Sequence, residues 1–181
     1  MSLTAQIMDE KAVSRAITRI CYEIVEKNRG SEGICIVGIF TRGAYLAQRI
    51  AGKISELEQR KIPIGYLDIT PYRDDVSRDK PIQDRTQLDF DIQDKKVVLV
   101  DDVLYTGRSV RAAIDALMAR GRPDKIQLAA LIDRGHRELP LRPDFIGKNV
   151  PTSREEKVIV RLKETDGIDQ VTIIKETEET K

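Results

Sequence analysis

Two rhythms of apolar residues divide this chain: short unbroken runs, and stripes in which every third or fourth position is apolar. The first stripe follows Asp9, a good N-cap residue, and sets Val13, Ala16, Ile17, Ile20 and Ile24 on one side of a predicted helix ending near Asn28-Arg29-Gly30. A buried strand is predicted at Ile34–Phe40. Across Thr41-Arg42-Gly43, the helical spacing of Ala44, Ala47, Ile50, Ala51, Ile54 and Leu57 takes over. Ile62–Ile69 reads as a third strand, and Ile126–Ile132 as another. Between them, Val110, Ala113, Ile114 and Leu117 mark an amphipathic helix stopped by Gly121-Arg122-Pro123. Val158–Leu162 and Val171–Ile174, separated by a turn near Asp166-Gly167, read as a closing antiparallel pair, with Glu176–Lys181 as a fraying tail. Strands alternating with helices predict a single α/β domain over residues 1–181, with a mainly parallel central sheet flanked by helices.

The run that carries chemistry is Val97, Val98, Leu99, Val100, Asp101, Asp102, Val103, Leu104, Tyr105, Thr106, Gly107, Arg108, Ser109 and Val110. Continuous Val and Leu describe a strand buried on both faces. Its two acids should stand at the carboxyl end, where open α/β sheets bind ligands. Thr106 to Ser109 would open the next helix, where backbone N–H groups favour a phosphate. Carboxylates beside a phosphate cradle point to a sugar phosphate. Other strands also close on polar turns, Thr41-Arg42-Gly43 and Asp133–Pro140, which would assemble a composite site along one edge.

Pro71–Lys95 is long, charged and sparsely apolar, as a mobile lid would be. Its Tyr72, Arg73, Arg78 and Lys80 suit an anionic substrate, and Leu88, Phe90 and Ile92, alternating with Asp, suit a hairpin inside it. Charge narrows the picture little: 31 basic against 30 acidic residues leave a formal +1, so only local clustering could serve nucleic acid. Lys11, Arg15, Thr18, Arg19 and Tyr22 form such a strip on the first helix. Cys21 and Cys35 sit in apolar patterns as free thiols, and no run is long enough to span a membrane, so a cytoplasmic protein is expected. One histidine, His136, leaves little scope for a His-based metal site. A metal-dependent phosphatase or kinase reading of Asp101-Asp102 stays open, but GxxxxGK[ST] and GxGxxG are both absent.

DDVLYTGRS resembles the phosphoribosyl-diphosphate signature of type I phosphoribosyltransferases. GIFTRGAYLA, DITPYRDD, the DRGHRELP run and IGKNVPTS stand around it in the order seen in the bifunctional family of pyrimidine operon attenuators with uracil phosphoribosyltransferase activity. Pro71 departs from the pattern, standing where a larger apolar residue is expected. The resemblance implies the type I phosphoribosyltransferase fold, with a flexible active-site loop at 71–95 and a small hood at 133–155. It implies that uracil and 5-phosphoribosyl 1-diphosphate give UMP and diphosphate, with Mg²⁺ carried mainly by the sugar diphosphate and touched by Asp101 and Asp102. Those two acids would bind the ribose hydroxyls, and Tyr105 to Ser109 the 5-phosphate. Thr41, Arg42, Gly43, Tyr72 and Arg73 would hold the diphosphate, Arg73 acting in catalysis, and Arg134 and His136 would read uracil. The resemblance further implies an RNA partner, a leader stem-loop bound through Thr18, Arg19, Lys27 and Arg142, joined by Arg15, Tyr22 and Lys148, with UMP or UTP as effector. It also implies a homodimer or tetramer. The competing reading is a hypoxanthine or guanine phosphoribosyltransferase without RNA binding, and orotate is a further alternative base.

Overall fold

In chain order the elements are β1 (Ser2–Met8), α1 (Glu10–Asn28), β2 (Ile34–Ile39), α2 (Arg42–Glu58), β3 (Ile64–Leu67), β4 (Lys96–Leu104), α3 (Arg108–Met118), β5 (Lys125–Asp133), β6 (Phe145–Asn149), β7 (Glu156–Arg161), α4 (Lys163–Asp166) and β8 (Gln170–Glu176). They come from a computed structural model that describes residues 2–79 and 81–176. Five strands make a parallel sheet ordered β3-β2-β4-β5-β6, and β1-β8-β7 make a small antiparallel sheet. The unbroken apolar runs are explained by helices on both faces. Val98 and Val100 of β4 pack with α1 and α2, whereas Val97 and Leu99 pack with α3.

The ends of α1 follow its sequence signals. The Asp9 carboxylate accepts the Ala12 N–H at 2.7 Å, Arg29 turns left-handed (φ 56°), and the Gly30 N–H reaches the Val25 carbonyl at 2.9 Å. Asp9→Ala would cost about 1 kcal/mol through the lost cap. Cys21 and Cys35 are free and buried, and burial pushes both thiols up to about 12, so neither is a nucleophile.

Several expectations need correction. The third strand is shorter than Ile62–Ile69, because Pro63 precedes its first ladder partner, Ile64. The span 133–155 is not wholly a hood: β6 lies within it and pairs in parallel with β5. Only Phe145 and Gly147 of β6 are buried, so it shows no apolar run; a Cβ on Gly147 would sit 2.4 Å from the Leu131 carbonyl oxygen. The closing antiparallel pair gains a third strand, β1, whose Thr4, Ala5 and Gln6 are exposed and gave no alternation to read. The lid holds no hairpin among the described residues. Gln87 instead bridges Tyr66 of β3, and Ile92 is 1% exposed, with Leu88 and Phe90 packed on the α3 side of the core. The second half of 71–95 is therefore fastened down. Lys80, and the tail beyond Glu176, lie outside the described residues.

Candidate functional site

Because all five strands of the large sheet run the same way, their carboxyl ends share one edge, and the turns leaving β2, β4 and β5 meet there. Contacts between the segments fix this. Gly43, in the first turn of α2, lies so close to β4 that a Cβ there would be 2.6 Å from the Val100 carbonyl oxygen and 3.3 Å from the Asp101 Cα. The Thr41-Arg42-Gly43 turn thus abuts the two acids. A Cβ on Gly107 (φ 93°) would meet Leu141 at 3.3 Å and Leu139 at 3.5 Å, which sets the Tyr105–Ser109 loop against the segment after β5. Arg108 reaches across to Asp74 at 2.8 Å, bringing in the start of the lid.

The acids lie inside β4 rather than beyond its end, since the ladder with β5 continues to Leu104. Asp101 is 9% exposed; burial first, then the charge of Asp102, raises its carboxyl well above the usual carboxylate range. Its Oδ1 accepts the Asp102 N–H at 2.9 Å, and the Asp102 Oδ1 accepts the Val103 N–H at 2.9 Å. Asp102 is the more open of the two. Among the described residues no three His, Cys, Asp or Glu side chains gather as metal ligands. The two adjacent carboxylates, one of them partly open, are a donor set of the kind Mg²⁺ takes when substrate phosphates and water complete its octahedron.

Two helix N-termini open on this edge, α2 at Thr41 and α3 at Gly107. Neither N-cap residue makes a side-chain cap bond and neither first turn holds an acid; the Thr106 Oγ1 accepts the Arg108 N–H at 3.3 Å, and the Thr41 carbonyl accepts the Ala44 N–H at 3.2 Å. The Phe40–Thr41 peptide is cis. Tyr105, Thr106 and Gly107 are wholly or partly buried, whereas Arg108 and Ser109 are exposed.

Some expected site residues are already engaged. The Arg42 guanidinium bonds both oxygens of Asp166, at the end of α4, at 3.1 and 3.2 Å. Arg73 is exposed and forks onto Asp75 at 2.8 and 2.6 Å, and Tyr72 is tied through its carbonyl to Arg111 at 3.1 Å. Pro71 fits a short 3₁₀ turn, Thr70–Tyr72, as a first-turn residue. Arg134 is 8% exposed. Its guanidinium donates to the Thr152 Oγ1 at 3.1 Å and to the carbonyls of Ser153 and Glu156 at 3.1 and 2.8 Å, and it stacks 4.1 Å over the Tyr105 ring. Arg134 is therefore a prop under the hood, its guanidinium engaged by protein oxygens. The His136 Nε2 donates to the Thr152 carbonyl at 2.5 Å.

Sequence reasoning missed Arg137, which ties three segments by bonds to the Tyr105 carbonyl (2.7 Å), the Leu141 carbonyl (3.0 Å) and the Asp133 carboxylate (2.6 Å). It stood in the DRGHRELP run beside the residues that were singled out. Asp133, Arg134, His136, Arg137, Asn149 and Thr152 line an open cleft of about 720 Å³ next to the Tyr105–Ser109 loop. Arg49, bonded to Glu164 and Asp169 at 2.6–2.8 Å, fastens the small sheet to α2; a separation of more than a hundred residues gave no signal for it.

Of the residues expected to contact RNA, Arg15, Thr18, Arg19 and Tyr22 line one groove on α1, whereas Arg142 lines the cleft after β5. α1 packs along β6, and Arg19 donates to the Ile146 carbonyl at 2.9 Å and the Gly147 carbonyl at 2.5 Å, covering the open edge of that strand. Lys27 pairs with Asp144 at 2.8 Å, beside β6. Arg15, Arg142 and Lys148 are exposed on these same segments, Thr18 is half-buried and Tyr22 is 55% exposed.

A parallel sheet with two acids and the Tyr105–Ser109 loop at its carboxyl edge is the arrangement of a phosphoribosyltransferase domain, and the family model for the phosphoribosyl transferase domain matches residues 4–163. Solved structures agree on the fold: hypoxanthine phosphoribosyltransferases from Trypanosoma cruzi (TM-score 0.73, 12% identity, covering 95% of this chain and 97% of that one) and Staphylococcus aureus (TM-score 0.70, 17% identity, 92% and 90%). Curated relatives narrow the family. The chain is 63% identical over 171 residues to the bifunctional protein PyrR of Acetivibrio thermocellus, covering 93% of each chain. It is 58% identical to that of Clostridioides difficile (93% and 97%) and 56% identical to that of Halalkalibacterium halodurans (94% and 97%). The chain belongs to the bifunctional PyrR family.

Proposed function

We propose that the chain transfers the 5-phosphoribosyl group of 5-phosphoribosyl 1-diphosphate to uracil, releasing diphosphate and forming UMP. We further propose that, with UMP or UTP in that site, the chain binds a stem-loop of a pyrimidine operon leader and favours transcription termination. What carries this reading is the whole-chain likeness to bifunctional relatives, at 54–63% identity, in a chain whose acids and phosphate loop meet at one sheet edge. Hypoxanthine phosphoribosyltransferases share the fold at 12–17% identity, which says nothing of the base.

The chemistry needs no protein nucleophile. As the bond to diphosphate breaks, positive charge builds on the ribose ring and negative charge on the leaving group. The N-terminus of α2 faces the leaving group, and the Tyr105–Ser109 loop holds the 5-phosphate and so the whole sugar in line. Asp102 accepts hydrogen bonds from ribose hydroxyls and lies where the ring becomes cationic. Asp101 and Asp102 would hold Mg²⁺ brought in by the substrate, which when bound neutralises the diphosphate. Arg42 and Arg73 reach the diphosphate by exchanging Asp166 and Asp75 for it, and Tyr72 closes with the first half of the loop, shutting out water. Uracil is read in the cleft beside Arg134 and His136, largely by backbone groups, because Gly135 (φ 79°) and His136 (φ 62°) both turn left-handed. Thr18, Arg19, Lys27 and Arg142 contact RNA, assisted by Arg15, Tyr22 and Lys148. Scattered cations suit folded RNA, read by shape, phosphates and unstacked bases. The working assembly is a homodimer, or a tetramer of two dimers.

A base-exchange assay with labelled uracil, hypoxanthine and orotate tests the transfer. Uracil alone should turn over. Turnover of hypoxanthine without uracil would replace this reading with the purine one.

A further inference from the structure

The amino edge of the parallel sheet, opposite the site above, carries a recess of about 390 Å³ where the segments leading into β2, β3 and β4 converge. Its volume is in the range of small-molecule pockets. Arg60, Lys61 and Lys95 line it, with one carboxylate, Asp91, and an apolar wall that includes Ile62 and Phe90. Arg49, Arg108 and Arg137 are held by carboxylates. By contrast, among the described residues none of the three side chains in the recess has a hydrogen-bond or ion-pair partner. Asp91 is partly spent, its Oδ1 accepting the Gln93 N–H at 2.8 Å. Arg60 and Lys61 reach the recess from the segment before β3 and Lys95 from the segment before β4, so an anion inside it would be drawn from two sides.

The backbone under these cations is fixed before any ligand arrives. Arg60 follows a left-handed cap at Gln59 (φ 50°), its N–H donates to the Ser55 carbonyl at 3.2 Å, and the Ser55 Oγ accepts the Ile62 N–H at 3.2 Å. On the other side, the Lys95 N–H donates to the Ile92 carbonyl at 3.1 Å, and the Lys96 N–H to the Gly33 carbonyl at 2.8 Å. Such pre-ordering lowers the entropy lost on binding.

We propose that this recess is a second ligand site, taking a phosphate ester of a planar ring, of mononucleotide size, with the phosphate among Arg60, Lys61 and Lys95 and the ring against Phe90 and Ile62. It is separate from the carboxyl-edge site. β2 runs between the two, and its six residues, at about 3.3 Å each, put them roughly 20 Å apart. One mononucleotide cannot fill both.

Equilibrium dialysis of the full chain with labelled AMP, GMP and UMP tests this, each with saturating 5-phosphoribosyl diphosphate and Mg²⁺ to fill the carboxyl edge. At least one of the nucleotides should still bind at one per chain. In the Arg60→Glu/Lys95→Glu variant its affinity should fall at least about tenfold, with uracil transfer unchanged. Phe90→Leu should weaken the nucleotide while leaving inorganic phosphate competition unaltered. No binding beside the sugar diphosphate, or equal binding in the charge-reversed variant, would overturn the proposal. So would inorganic phosphate competing as well as the nucleotide does, which would mark a plain anion site. Loss of leader RNA binding in that variant, with no free nucleotide bound by the wild type, would give the patch to RNA instead. Uracil turnover, read separately, keeps a failure of the assigned activity distinct from each of these outcomes.

Discussion

Gly43→Ala tests how tightly the diphosphate turn is seated on the two acids. The added methyl would lie 2.6 Å from the Val100 carbonyl oxygen, where ordinary van der Waals contact begins near 3.4 Å, so something must retreat by the difference, about 0.8 Å. Neither neighbour can yield cheaply, because the Val100 carbonyl and the Asp101 Cα are backbone atoms of β4, paired on both sides within the sheet. The first turn of α2 moves instead, carrying Thr41 and Arg42 away from the place proposed for the leaving group. Overpacking of this kind costs about 1–3 kcal/mol of stability. A displacement near 1 Å at a reacting centre costs on the order of 10²-fold in rate. Gly52→Ala is the matched control on the same helix: nothing lies within 4 Å of its Cβ position, so it should stabilise the protein by about 0.5–1 kcal/mol and leave turnover alone. Urea unfolding and steady-state uracil transfer on both variants read the two effects. Transfer by the Gly43→Ala protein within about threefold of wild type would refute the close seating of turn and acids.

Asp102→Asn should abolish transfer while leaving the urea midpoint nearly unchanged, since it removes charge and keeps shape; near-normal turnover would exclude the ribose-binding role. For Asp101, the raised carboxyl means that the folded protein keeps a proton the unfolded chain has released, so this group lowers stability as pH rises from the usual carboxylate range through its own higher value. The Asp101→Asn protein should therefore gain on wild type with rising pH in urea melts from about pH 4 to 8, and a constant difference would contradict that. Arg49→Gln removes charged bonds to Glu164 and the buried Asp169 and should destabilise by about 2 kcal/mol, read by thermal melting against a Gln48→Ala control on the exposed side of the same helix. Arg19→Gln should weaken leader RNA binding, flatten its salt dependence and spare transfer; parallel loss of both activities would put RNA and substrate on one surface.

Elements buried on two faces or striped on one are legible in the residue pattern alone. β4 announces itself as a run of Val and Leu and β5 as one of Leu, Ala and Ile because helices cover both sides, and α1 declares both ends through Asp9 and Arg29-Gly30. β1 and β6 are not legible: one exposes Thr4, Ala5 and Gln6 in succession, and the other owes its place to Gly147 passing close under Leu131. The strand–acid–acid–Thr-Gly order identifies the chemistry of the site, but not that Asp101 and Asp102 lie within the ladder. Arg134 shows the other limit. The resemblance offers it as a base contact, and only the three oxygens around its guanidinium reveal that it also props the hood. Side-chain pairings such as Arg42 with Asp166 join positions far apart in the chain, and no local pattern records them.

The central claim is that one nucleotide site serves both transfer and RNA control. A gel-shift titration of a pyrimidine leader hairpin, with and without UMP, tests it most directly. UMP should tighten binding by the wild-type chain and leave the Asp102→Asn chain unaffected. Leader affinity that ignores UMP in the wild type would contradict the account.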